Sequence, residues 1–376
     1  MVELGTLITQ AKTVRCGESN YPVLSMTMHD GLVLQDDRFK KAIASKDKSD
    51  YKVVYRDQLV ISFPIDEGVL ATQRITDAGI VSPAYGIWDV DQEKVVPEFL
   101  EYALRCERSI AYYKAKLRGS TARRRSLPTP TLLTHTVPLP SVEEQKNILD
   151  LIHRVVTIIH LRKDELRELD ALTKARFIEM FGDPVLNSRQ HTVRKLADLG
   201  ELNRGVSKVR PRNTPDLLGG PYPLIQTGEV AAAQLYIDSY ENTYSEKGLA
   251  QSRMWPNGTL CITIAANIAQ TAILAIDACF PDSVVGFIPG DEVTQIYMHY
   301  WFSFFQKILD EQAPQVAQKN INLKILSNLD VMVPPLELQK QFEDFVKQSD
   351  KSKAVIQKSL DETQVLFDSL MQKYFG

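Results

Sequence analysis

Three groups of basic and amide side chains are the residues of this sequence best suited to bind a charged partner. Arginine contacts phosphates or donates two hydrogen bonds to guanine O6 and N7, and glutamine or asparagine amides pair with adenine. We therefore predict DNA contacts at Arg118, Arg123, Arg124, Arg125, Arg204, Lys208, Arg210, Arg212, Gln318, Lys319 and Asn320. Two alternatives stay open, because runs of charge are often solvated surface and Asn320 can equally cap a turn within its own domain.

No arrangement of residues predicts catalysis. The Asn/Asp-Pro-Pro-aromatic motif of amino methylation is absent, and no Gly-rich loop for a nucleotide or a methyl donor occurs. The four cysteines are far apart and never form a C-x2-C pair, so neither a zinc site nor a disulfide is predicted. We expect no catalytic residue, no metal and no cofactor in this chain.

Size, composition and charge are typical of a globular protein with several domains. The chain has 376 residues, of which 44% are hydrophobic and 24% charged, and this is too long for one ordinary core. No apolar run approaches the ~18 residues that span a bilayer, and the first residues lack the pattern of a signal peptide, so we expect a cytoplasmic protein. Because the net charge is -3, any DNA-binding surface must be local.

The sequence contains an internal repeat. Residues 140–182 align without a gap to residues 334–376, and both stretches open with Pro-x-x-Glu-x-Gln-Lys and close with Phe-Gly. In each stretch the predicted helix begins after the opening proline, which suits a first helical turn, and Gly182 suits a left-handed cap. We therefore predict one long helix in each stretch.

The two stretches also share an apolar pattern that steps by four and three residues. A heptad pattern of this kind predicts packing against a partner helix, and the other copy is the obvious partner. At ~1.5 Å per residue, about 40 residues form a rod on the order of 60 Å long. The predicted seam consists of Ile148, Ile152, Val155, Ile159, Leu166, Leu169, Phe342, Val346, Ile356, Leu360, Phe367 and Leu370.

The segments before the two helices are similar to each other as well. Residues 21–27 resemble residues 222–228, and Leu59–Ser62 resembles Leu260–Thr263, where both copies have the character of a strand after a turn. A segment rich in aromatics and leucine, predicted to be helical, follows in each copy. The pattern predicts an α+β chain in which two mixed α/β domains, 1–139 and 183–333, alternate with helices at 140–182 and 334–376.

These motifs resemble those of the specificity (S) subunits of type I restriction-modification systems. The resemblance rests on the two Pro-x-x-Glu-x-Gln-Lys openings, on the junction at residues 177–184 and on the approach to the second helix at residues 318–323. It covers the full length of the chain. One segment departs from the pattern, since the first domain has Arg-Arg-Arg-Ser-Leu at residues 123–127 where the second has Gln-Lys-Asn-Ile at residues 318–321.

The resemblance implies that each domain is a target-recognition domain and reads one half of a bipartite, asymmetric DNA site. It also implies that the two helices pair as an antiparallel coiled coil and give the chain a pseudo-two-fold internal repeat. The implied partners are double-stranded DNA, two methyltransferase subunits that carry S-adenosylmethionine, and, in some systems, motor-nuclease restriction subunits.

Two other functions fit parts of the sequence. The chain could act as a coiled-coil scaffold or adaptor whose domains bind protein partners, and a DNA pull-down begins to separate this hypothesis from DNA recognition. A self-sufficient enzyme is the third hypothesis, and the absence of label transfer from S-adenosylmethionine would exclude methyl transfer by the chain itself.

Overall fold

The protein forms two compact units that share the long helices. The computed structural model describes residues 1–28, 30–38, 47–117, 127–211, 214–265, 268–304, 308 and 321–376. The first unit contains Met1–Lys163 and Gln357–Gly376, and the second contains Asp164–Ile356. Each unit therefore combines one globular part with a section of each long helix. In the described part of the chain, no helix is long and apolar enough to cross a membrane.

The globular part of the first unit is built on a four-stranded antiparallel sheet. Its strand order is Ile8–Gln10, Gly86–Val90, Leu59–Ile61 and Leu70–Thr72. Three two-stranded ladders pair Val2–Glu3 with Thr136–Val137, Leu24–Met26 with Leu32–Leu34, and Lys52–Tyr55 with Ala78–Val81. The short helices are Gln35–Arg38, Pro97–Arg105, Glu107–Lys116 and Thr129–Leu133, with 3-10 turns at Leu4–Thr6 and Ile65–Glu67.

The globular part of the second unit contains a larger, five-stranded sheet. Its strand order is Gly200–Arg204, Val284–Pro289, Leu260–Thr263, Thr271–Leu274 and Tyr236–Ile237. A second sheet has the order Asn242–Tyr244, Leu218–Leu224, Ala278–Cys279 and Met254–Trp255, and Thr192–Lys195 pairs with Asp330–Val333. The short helices are Thr227–Ala232, Glu246–Ala250, Gln295–Phe302 and Leu323–Ser327, with 3-10 turns at Leu196–Asp198 and Pro215–Leu217.

The first four strands of the two larger sheets follow the same order in the chain. In each of these two sheets, the strand that comes first in the chain pairs with the strand that comes last. That last strand pairs in turn with the first strand of a hairpin. The hairpin strands Leu59–Ile61 and Leu260–Thr263 are the ones that the repeat predicted. The second unit adds Tyr236–Ile237 in parallel at the edge. The internal repeat therefore extends from sequence to topology.

The two long helices span Val142–Phe181 and Leu336–Phe375, 40 residues each. Both begin within two residues of the predicted start, after Pro-containing segments that suit a helix N-terminus. Gly182, at φ 80°, adopts the left-handed conformation that ends the first helix, as glycine does at little cost.

Contacts in the second unit show that the two helices run antiparallel. The rings of Phe181 and Phe342 lie 5.4 Å apart, so the end of the first helix meets the start of the second. Further back along the first helix, Asp170 Oδ1 lies 2.6 Å from Lys353 Nζ, which is further forward along the second. Later residues of the first helix thus contact earlier residues of the second.

The same direction holds in the first unit. Ile148 and Ile152, near the start of the first helix, share one apolar cluster with Met371 and Phe375, near the end of the second. The predicted antiparallel coiled coil is therefore confirmed by the pairing within each unit.

The seam of the coiled coil contains a polar layer in the second unit. Every predicted seam residue is buried or half-buried. Lys353 occupies a seam position with a side chain only 8% exposed, and its ammonium pairs with Asp170 at 2.6 Å and Asp350 at 3.6 Å. Thr173 Oγ1 and Ser349 Oγ lie 3.3 Å apart in the next layer. Polar groups at seam positions cost stability but disfavour shifted registers, because a shift would leave them buried without partners.

The glutamine of the repeated Pro-x-x-Glu-x-Gln-Lys motif fixes each long helix to its globular part. Gln145 is fully buried, accepts a hydrogen bond from the Val96 amide at 2.8 Å and donates to the carbonyls of Lys94 and Pro140 at 3.0 and 2.9 Å. In the second unit, Gln339 makes the same three contacts with Thr294, Glu292 and Pro334, each at 2.9 Å. The motif is therefore a structural anchor.

The far ends of the long helices are also buried. Phe375 packs against Phe99 with ring centroids 4.9 Å apart, and the Cys106 thiol donates to the Phe375 carbonyl at 3.3 Å. In the second unit Phe181 packs against Tyr297 at 5.1 Å. Each globular part therefore holds the start of one long helix and the end of the other.

Candidate nucleic-acid interface

The basic loop that follows strand Gly200–Arg204 is held by the side chain of Gln251. Gln251 is 8% exposed, and its Oε1 accepts hydrogen bonds from the backbone amides of Lys208 at 2.7 Å and Val209 at 3.1 Å. One buried acceptor thus satisfies two consecutive N–H groups of the loop. Because these amides are fixed, the side chains of Lys208 and its neighbours project from a defined backbone.

A glycine lets this loop lie against the segment that carries Asp282. The Gly205 amide donates to the Val284 carbonyl at 2.8 Å. A Cβ atom at Gly205 would overlap the carbonyl oxygens of Phe280 and Pro281, so only glycine fits this close approach. The packing brings the basic loop and residues 280–282 together at one edge of the unit.

Two arginines converge on Asp282 at this edge. Arg210 Nη2 lies 3.0 Å from Asp282 Oδ2, and Arg210 Nη1 donates to the Ser207 carbonyl at 2.6 Å. Arg204 Nε donates to the Asp282 carbonyl. Arg204, Lys208 and Arg210 are all exposed, so the edge presents three cations to solvent beside one carboxylate.

The carboxylate of Glu201, on the same strand as Arg204, is paired with another arginine and does not neutralise this positive edge. Arg253 Nη2 donates a hydrogen bond to Glu201 Oε1 at 2.7 Å. This bond holds the pKa of Glu201 below its usual value. Glu201 is thus ionised and engaged with Arg253. Lys208 forms no ion pair with any residue that the structure describes.

A small cleft adjoins the arginine pair. Its volume is about 190 Å³, and Pro281 and Ser283, the two neighbours of Asp282, form part of its wall. Gln226, Thr227 and Asn242 also line it. Residues with amide and hydroxyl side chains therefore lie near the cations, and such residue types can read base edges.

The structure brings together three of the predicted DNA-binding residues, Arg204, Lys208 and Arg210. The other eight lie outside the described residues, and they are Arg118, Arg123, Arg124, Arg125, Arg212, Gln318, Lys319 and Asn320. Gln251 and Asp282 could not be predicted from the sequence, because their contacts join residues 42 to 72 positions apart and no local pattern marks them.

The first unit has a corresponding basic segment that the sequence analysis did not name. It follows strand Ile8–Gln10, the counterpart of Gly200–Arg204 in sheet order, and contains the exposed residues Lys12 and Arg15. Arg15 pairs with Asp50, so an arginine next to an aspartate recurs after the equivalent strand.

The comparisons with known proteins agree on one family. Residues 189–363 match the family model described as type I restriction modification DNA specificity domain. The putative type I restriction enzyme MjaX specificity subunit of Methanocaldococcus jannaschii is 23% identical over 295 residues, which cover 72% of this chain. The match covers 66% of that relative, so the chain spans just under two thirds of its length.

Solved structures share the fold. The S subunit of a type I restriction-modification system from M. genitalium superposes with a TM-score of 0.55 at 13% identity, covering 100% of this chain and 95% of that one. A chain from a study of complex assembly and conformational transition in a type I R-M system gives 0.58 at 18% identity, covering 100% and 96%.

Fold and site together define a chain of two repeated α/β units anchored to an antiparallel pair of long helices, with a basic edge on the second unit. Residues 189–363 of this chain are therefore similar to the type I restriction modification DNA specificity domain, and the fold of the chain is shared with a solved S subunit.

Proposed function

We propose that this chain is the DNA-recognition subunit of a type I restriction-modification complex and that each unit reads one half of a bipartite site. The observation that carries the proposal is the fixed basic loop with Arg204, Lys208 and Arg210, which lies inside the region matched by the specificity-domain model. Fixed cations of this kind can contact phosphates and guanine edges.

The two half-sites differ in sequence. The units share the order of four strands, but the second has a fifth strand and an additional four-stranded sheet. Different surfaces around a common framework read different bases, so the complete site is asymmetric. The paired long helices act as the spacer, because separation of half-sites is set by protein geometry and a helix pair is stiffer than a flexible linker.

Catalysis belongs to the partners in this proposal. Two methyltransferase subunits carry S-adenosylmethionine and methylate the recognised DNA, and motor-nuclease subunits can join for restriction. The name of the curated relative, a specificity subunit, supports a non-catalytic role. Exposed apolar side chains on the first long helix support partner docking, since Leu151, Ile158 and Leu161 are 38%, 43% and 56% exposed.

Mapping methylated bases tests the proposed function directly. When this chain is expressed with its methyltransferase partners in a host that lacks other methylation, we expect methylation at one motif made of two different half-sites with a fixed gap. A contiguous palindrome would contradict the proposal. If the assembled complex binds no DNA, the adaptor hypothesis takes its place.

Lys208→Ala should weaken binding to all DNA sequences by a similar factor. The exposed lysine is expected to contact a phosphate, so its loss should also lower the slope of log affinity against log salt concentration by about 1. Titrations of the assembled complex at several salt concentrations measure both effects. Lys247→Ala is the matched control, because Lys247 is an exposed lysine of the same unit that pairs with Asp216 at 2.9 Å. Wild-type affinity and slope in Lys208→Ala would remove this loop from the interface.

A further inference from the structure

Arg210 is held in a defined orientation by contacts along part of its guanidinium. Two N–H groups of Nη1 donate to the carbonyls of Ser207 at 2.6 Å and Val209 at 3.1 Å, and Nη2 pairs with Asp282 at 3.0 Å. A guanidinium has five N–H donors. Nε–H and the second N–H of Nη2 therefore make no hydrogen bond to any residue that the structure describes. Half of the Arg210 side chain is exposed.

The two unused donors of Arg210 suit a contact with guanine. Guanine presents O6 and N7 in the major groove, and an arginine fork donates to both at once. An unrestrained arginine must give up side-chain freedom on binding, whereas Arg210 is already ordered by its contacts with Asp282 and Ser207. The arrangement therefore favours reading of a base edge.

The carboxylate of Asp282 works against a different contact of the same arginine. A phosphate that approached Arg210 would also approach this carboxylate, and the two negative charges repel. The repulsion reduces binding to any DNA through the backbone alone, and specificity often combines such a repulsive element with an attractive one. The carboxylate of Asp282 thus gives Arg210 a different role from Lys208, which has no such carboxylate partner in the described residues.

From this geometry we propose that Asp282 is a positioning residue that makes Arg210 a reader of one guanine in the half-site of the second unit. The inference rests on the proposed function, and it goes further by naming the base and the residue that controls its recognition. Asp282 acts through Arg210 and does not itself contact the guanine.

The decisive variant is Asp282→Asn, tested in the complete complex with its methyltransferase partners. We expect discrimination at one G·C pair of one half-site to fall by about 10- to 100-fold, the range that a good bidentate contact provides. Affinity for unrelated DNA should stay the same or rise, because a negative charge has been removed. The other half-site should be read as in the wild type. Methylation mapping and competition binding with single-base variants of the site measure these effects.

Two further variants separate positioning from a general structural role. Asp216→Asn makes the same charge change at an exposed aspartate of the same unit, paired with Lys247, and should leave discrimination unchanged. Arg210→Lys keeps the positive charge but loses the fork, so it should relax the same base pair as Asp282→Asn while affinity for unrelated DNA persists. Arg210→Lys also tests the inference if Asp282→Asn does not fold.

The two proposals fail in different ways. If the wild-type complex methylates no bipartite motif, the proposed function fails. If it does methylate such a motif, but Asp282→Asn and Arg210→Lys read every position at wild-type ratios, only the role of Asp282 is overturned. An equal loss of affinity for all sequences in both variants would likewise overturn it, since that result indicates a structural role.

Discussion

Phe375→Ala should lower the free energy of unfolding of the first unit by about 3–5 kcal/mol, although the residue is the second last of the chain. Its ring is fully buried and packs against Phe99 and Tyr102, with centroids 4.9 and 6.1 Å away. Truncation to alanine removes these contacts and leaves a cavity between the second long helix and the globular part. Denaturant unfolding, combined with hydrogen exchange to locate the weakened region, measures the effect.

Leu366→Ala provides the control on the same helix. Leu366 is 49% exposed, so its loss should change the free energy of unfolding by no more than about 0.5 kcal/mol. Weakened protection in Phe375→Ala should include the helix Pro97–Arg105, which contains Phe99. Wild-type stability in this variant would mean that the end of the second helix is not packed into the first unit.

Gln339→Ala is expected to destabilise the second unit because it removes a fully buried side chain that satisfies three backbone groups. The Thr294 amide loses its acceptor and the carbonyls of Glu292 and Pro334 lose their donor. An unpaired buried group costs about 1–3 kcal/mol, so losing all three bonds, one of them to the buried Pro334 carbonyl, predicts a loss in that range. Thermal or denaturant unfolding measures it, and Gln145→Ala should have a similar effect on the first unit.

The matched control for the anchor is Gln364→Ala. Gln364 lies on the same helix but is exposed, and its amide donates to the side chain of Asp368 at 3.0 Å. A change of no more than about 0.5 kcal/mol is expected there. Equal effects of Gln339→Ala and Gln364→Ala would show that the repeated glutamine is not an anchor.

Much of the fold could be predicted because its signals are local and occur twice. The long helices were predicted at 140–182 and 334–376 and span Val142–Phe181 and Leu336–Phe375. Prolines mark their starts, Gly182 marks the end of the first, and the heptad pattern gives the side that is buried. The strand at Leu59 and its counterpart at Leu260 were found for the same reason.

The candidate site was less predictable, because its geometry depends on distant pairs. The sequence shows that the loop is basic, but it does not show that Asp282 meets Arg210 or that Gln251 holds Lys208. The repeated glutamine was visible as a motif, yet its role was not, since Gln145 bonds an amide 49 residues earlier in the chain. Residue types therefore predicted the chemistry of the edge, and tertiary packing determines which side chains are fixed.

The division of the chain into units has a consequence for the order of folding during synthesis. The second unit is one continuous stretch, Asp164–Ile356, whereas the first needs the final stretch Gln357–Gly376 to cover Phe99. Nascent chains generally complete N-terminal domains first. Here the order is reversed, because Met1–Lys163 cannot complete the first unit until Gln357–Gly376, which follow the whole second unit in the chain, have been synthesised.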